Sequence, residues 1–92
     1  MGKVEFKLRG KVIRMARQMK NISIQEFSGI AGIHHNTIAM IEREERGLSR
    51  LNEIRILRGL RQHKVTDVQL ASIQLIVEHD EGKFDEWRKI HA

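Results

Sequence analysis

His35, Asn36, Met40 and Arg43 are the residues whose types and spacing point most directly to chemistry. They recur on one side of a short predicted helix whose opposite side carries Ile38 and Ile41, at the i, i+3 spacing of a buried face. An asparagine amide offers a donor and an acceptor to an adenine edge. Arginine offers a fork of donors to guanine or phosphate, and methionine offers apolar contact to a thymine methyl. This is recognition chemistry. Bond-making chemistry finds no support: Ser23, Ser28, Ser49 and Ser72 have no partnered histidine in a catalytic motif, and no glycine-rich phosphate loop precedes a helix. His34 and His35 are adjacent, but His63, His79 and His91 are scattered with no HxxxH spacing. No metal site, cofactor or enzymatic activity is expected.

The elements that must position these side chains are legible around them. In SIQEFSGIAGIHHNTIAMIE, residues 23–42, Ser23 is placed to cap a helix over 24–31, and Glu26 to complete a capping box. Ile24, Phe27 and Ala31 share one face of that helix. Gly32 supplies a turn without steric cost, and a helix over 35–43 follows. Two short helices, a glycine turn and an exposed stripe on the second form the layout of a helix-turn-helix whose second helix enters a DNA major groove.

Leu8, Val12, Met15, Ala16 and Met19 predict an amphipathic helix before this pair, with Asn21 as its stop. Residues 1–7 read as irregular or extended. Ser49 is placed to cap a fourth helix with Ile54, Ile56, Leu57 and Leu60 as candidate core. Thr66 and Gln69 form a second capping box, opening a fifth helix to about His79. That helix carries two apolar stripes: Val68, Leu75 and Ile76, and Leu70, Ile73 and Val77. One stripe suffices to cover a small domain, so the first is assigned to a partner subunit. Phe84, Trp87 and Ile90 follow at i, i+3, i+6 as the apolar face of a terminal helix. The expected fold is all-α, with residues 1–64 a DNA-binding domain and residues 65–92 a helical dimerisation extension.

Composition agrees. Ninety-two residues make one domain with a modest core. Residues 1–64 hold 14 Lys/Arg against 6 Asp/Glu, while residues 65–92 hold 3 against 6. The predicted helix pair therefore lies in a strongly basic half, suited to phosphate. Cysteine is absent, which excludes disulfides and thiolate sites. No signal peptide and no apolar run near the ~20 residues of a membrane span are present. A cytoplasmic protein without membrane association is expected. The absence of proline and the few aromatics favour helices over a sandwich or barrel.

The run from Ser23 through Ala31-Gly32-Ile33 to Thr37-Ile38 and Ile41-Glu42-Arg43 resembles the Cro/C1-type helix-turn-helix family of phage repressors and bacterial regulators. The continuation from Leu48-Ser49 to Leu57-Arg58-Gly59-Leu60 is similar to the controller proteins of restriction–modification systems. The resemblance implies that His35, Asn36, Thr37 and Met40 read bases, with His34 and Thr37 near phosphate or base edges. It implies that Arg43 and the helix terminus at Ser23 meet phosphate, that Arg17 pairs with Glu42 beneath the DNA surface, and that Arg50 stands where some members reach the minor groove. Arg14, Arg17 and Lys20 complete the expected phosphate set. Three positions depart from the pattern: Glu44 replaces the usual glycine, His34 replaces a Ser or Thr cap, and Met40 replaces a commonly polar reader. The implied function is sequence-specific transcription regulation, most readily repression by a homodimer on a two-fold operator. The alternatives are an antitoxin that also binds a toxin, or a protein-interaction adaptor that does not bind DNA. A protein partner such as a toxin or antirepressor remains open.

Overall fold

The computed structural model describes residues 8–81, which form five helices: α1 Gly10–Met19, α2 Ile24–Ala31, α3 His35–Glu42, α4 Arg50–Gln62 and α5 Asp67–Asp80. Four of them begin at a residue whose side chain accepts a backbone N–H from the first turn: Ser23, His34, Ser49 and Thr66. Each satisfies one donor that a helix N-terminus leaves without a partner. Thr66 and Gln69 form the full reciprocal box. At α2 only half of the expected box forms, with Ser23 Oγ accepting from Glu26 N–H at 3.1 Å.

Helix ends are also built from local chemistry. Gly32 closes α2 in the left-handed region at φ 69°, where a side chain would be strained. α1, α3 and α4 end instead with Asn21, Glu44 and Lys64 at positive φ. At all three, the N–H groups of the left-handed residue and its successor return to carbonyls of the last turn, as with Glu44 N to Ile41 O and Glu45 N to Met40 O, both 3.0 Å. These are Schellman closures made without glycine.

One core joins all five helices. Val12, Ile13, Phe27, Ile38, Ile56 and Leu60 are wholly buried, and Leu70, Ile73 and Val77 bring α5 into the same cluster. Each such side chain contributes about 1.5–3 kcal/mol by leaving water. α5 packs mainly on α1, while α3 lies against α1 and α2. Gly10 lets the start of α1 approach the end of α3, since a Cβ there would stand 1.9 Å from the Ile41 carbonyl oxygen.

Several expectations about the core are corrected. Leu8 is buried but precedes α1, and Ile13, absent from the predicted stripe, is fully buried. The buried face of α1 centres on Val12, Ile13 and Ala16. This leaves Met15 half-buried and Met19, at the last turn, 47% exposed. Ile54 was expected in the core and is 51% exposed, because Ile56, Gly59 and Leu60 define the inward side of α4. The predicted irregular residues 1–7 and the terminal helix with Phe84, Trp87 and Ile90 lie outside the described residues.

Candidate nucleic-acid interface

α3 buries Ile38, Ile41 and Glu42 and exposes His35, Asn36 and, just past its end, Arg43; Thr37 and Met40 are half-buried beside them. The Asn36 amide makes no side-chain hydrogen bond to any described residue, so its donor and acceptor are available to a ligand. His34 Nδ1 accepts from Asn36 N–H at 3.2 Å. An accepting Nδ1 places any single ring proton on Nε2. The His34 and His35 rings stack with centroids 4.4 Å apart, so the first turn of α3 presents two imidazoles beside orphan N–H groups. That is a suitable setting for an anionic oxygen.

A buried ion pair holds α3. Arg17 Nε and Nη2 donate to the two Glu42 oxygens at 2.8 and 2.9 Å, and Arg17 Nη1 donates to the Ile22 carbonyl at 2.9 Å. The Glu42 side chain is 4% exposed and that of Arg17 11%. The bidentate fork fixes geometry as well as charge, and the carboxylate, through its hydrogen bonds, holds the guanidinium still more firmly in its charged form. Three points of the chain are tied by one side chain: the end of α1, the approach to α2 and the end of α3.

Around this centre, Arg14 and Arg43 line one groove together with Met15, Gln18 and Ile76. Arg43 donates to Glu45 at 3.0 Å in an exposed pair. Arg14, Lys20 and Arg50 enter no ion pair among the described residues. Ser23 is spent partly on its own cap, while the N–H groups of Ile24 and Gln25 lie in the unpaired first turn of α2. The structure thus brings Arg14, Arg17, Glu42 and Arg43 to one end of the α3 surface and His34, His35 and Asn36 to the other. Arg50 opens α4 beyond the 43–49 connection and does not line the groove that holds Arg14 and Arg43.

A helix-turn-helix family model matches residues 13–61, just over half of the chain and the whole of this arrangement. The chain belongs to the Cro/C1-type helix-turn-helix family. No curated protein and no solved structure matches it. As a member of that family it is a DNA-binding transcriptional regulator. Among the described residues of the regulator, no helix is long and apolar enough to cross a membrane.

One cluster of the regulator escaped sequence reading. Arg9 donates to Glu44 at 3.0 and 3.2 Å and also to both oxygens of Glu81, and Lys11 donates to Glu81 at 2.9 Å. The hydrogen bonds from Arg9, then Lys11, lower the Glu81 carboxyl from its ordinary value to about 2. Glu44 and Glu81 lie 35 and 72 residues from Arg9, and no local spacing signals such a contact.

Proposed function

We propose that the regulator represses transcription by occupying a two-fold symmetric operator as a homodimer. In this reading α3 enters the major groove: His35, Asn36, Thr37 and Met40 meet base edges, while His34, Ser23, Arg14, Arg17, Lys20 and Arg43 meet phosphate and Arg50 the minor groove. The observation that carries it is the exposed Asn36 stripe on a helix held by the buried Arg17–Glu42 fork. Free polar edges on a rigid element are what base readout requires.

The dimer part rests on α5. Val68, Leu75 and Ile76 are 75%, 57% and 54% exposed, while the opposite stripe Leu70, Ile73 and Val77 already satisfies the core. Large apolar side chains left outside on a small domain mark an interface. Phe84, Trp87 and Ile90 are assigned to the same interface from their spacing alone. A two-fold pairing would set two α3 helices about one DNA turn, ~34 Å, apart.

The test is selection of bound sites from random duplex DNA with the full chain, paired with sedimentation equilibrium. The expected result is an inverted repeat with half-site centres about 10 bp apart and a dimer that Leu75→Asp dissociates. A monomer that selects a single unsymmetrical half-site refutes the dimer, and absence of any selected sequence refutes the operator.

A further inference from the structure

α4 turns outward a face in which guanidinium and apolar groups alternate. Arg50, Leu51, Ile54, Arg58 and Arg61 are exposed, with Leu51 57% and Ile54 51% accessible, while Ile56, Gly59 and Leu60 face the core. Arg58 enters no ion pair among the described residues; Arg61 approaches Asp67 at 3.6 Å, with both side chains largely in solvent. Ile54, Leu57, Arg58 and Arg61 line a shallow groove. A second groove, over Leu57, Leu70 and Ala71 beside Arg61 and Asp67, continues it to the first turns of α5. The combined floor is apolar, and its rim carries Arg58, Arg61, Gln62 and Asp67, with a net positive charge.

We propose that this groove docks an acidic amphipathic helix of another protein. Its apolar residues, spaced i, i+3, i+7, would seat on Ile54, Leu57 and Ala71, and its carboxylates would meet Arg58 and Arg61 as charge-assisted forks. Charge complementarity selects this occupant. A second copy joined through the same face would gather four arginines, Arg58 and Arg61 from each copy, against two Asp67, a net positive charge that disfavours contact. A phosphate backbone would satisfy the guanidinium groups but leave Ile54 and Leu57 without apolar partners. The groove lies between α4 and α5 and contains no residue of α3, so DNA and the acidic helix can be held at once.

The test titrates the isotope-labelled full chain, followed by amide NMR, with a synthetic helical peptide carrying Leu at i, i+3, i+7 and Glu between. The control peptide has Lys for Glu. Shifts are expected at residues 54–61 and 67–71 with the Glu peptide only, and they persist when duplex DNA is bound. The exposed-site variant Ile54→Ser/Arg58→Gln, checked for folding by circular dichroism, should weaken the peptide about tenfold or more. Four results would each overturn the proposal: no shifts, shifts confined to α3, equal binding of the Lys peptide, or displacement of the peptide from α4 by duplex. Conversion of a dimer to monomer by the same variant in sedimentation equilibrium would also overturn it, by making the groove a self-interface. The outcomes measured without duplex do not depend on whether α3 reads DNA, which site selection measures separately.

Discussion

Removing Glu42 should unsettle the regulator more than removing any exposed carboxylate. Glu42→Ala leaves the Arg17 guanidinium, 11% exposed, with the Ile22 carbonyl as its one remaining partner. Breaking a buried pair from one side costs about 3–5 kcal/mol. Arg17 keeps a little access to water, so the lower end applies, about 3 kcal/mol, which for a domain of this size corresponds to a fall in Tm of roughly 12–24 °C. Arg17→Met should cost a similar amount, since it strands the carboxylate, 4% exposed, and the Ile22 carbonyl. The double variant Arg17→Met/Glu42→Leu removes both charges together. Apolar replacement of a whole buried pair is often near neutral, so the double variant should be more stable than either single. Urea unfolding with constant m gives the three stabilities, and the cycle should return a coupling above about 3 kcal/mol, reaching about 6 kcal/mol if the double variant is neutral. Single effects that simply add, or that each stay below about 0.5 kcal/mol as exposed pairs do, would refute the reasoning. The same proteins separate scaffold from interface: a stable double variant that still binds DNA as tightly as the parent removes Arg17 from the phosphate set.

Asn36→Ala should lose roughly 1–3 kcal/mol of discrimination at one base position; an unchanged base preference in competition binding excludes Asn36 as a reader. Arg43→Ala should flatten the log–log salt dependence of DNA affinity by about 0.9, and an unchanged slope removes that phosphate contact. Lys64, at φ 62° and without an ion pair among the described residues, should gain about 0.5–1 kcal/mol on replacement by glycine, whereas Glu44→Gly should gain less because it also loses Arg9; thermal unfolding ranks the two. The Glu81 carboxyl is held down to about 2 from 4.5 by Arg9 and then Lys11. Its contribution to stability is therefore complete above pH 4.5 and is lost as pH falls from there toward 2. Glu81→Gln should flatten that acid limb in a circular-dichroism titration, and an unaltered limb shows the clamp contributes nothing.

What could be read from sequence was what depends on neighbours a turn or less away. α2 occupies 24–31 as its cap and apolar face require, Gly32 turns left-handed, and Ser49 and Thr66 cap the helices they precede. The Arg17–Glu42 pair was reached only through family register, and it forms as a bidentate fork. Periodicity alone placed Met19 and Ile54 inward because it reads each helix in isolation. Which side of α1 or α4 is covered depends on where the other helices pack, and that is a property of the assembled core. The Arg9 clamp was illegible for the same reason, since its partners meet it only after α1, α3 and α5 are in place.

Glu44 shows how such contacts can stand in for a sequence rule. The family pattern puts glycine at this point because the chain must turn left-handed to leave α3, and the chain does so here at φ 61° with a side chain that costs about 1–2 kcal/mol in that region. The same side chain reaches Arg9, whose guanidinium also holds Glu81 at the end of α5. α1 therefore grips the end of α3 three times: through Arg17 on Glu42, through Gly10 beneath the Ile41 carbonyl, and through Arg9 on Glu44. The last of these grips also fastens α5. A glycine at 44 would relax the turn but would leave Arg9 holding α5 alone. The departure from the family pattern thus links the end of the helix proposed to read DNA to the helix proposed to set dimer spacing, through a single arginine.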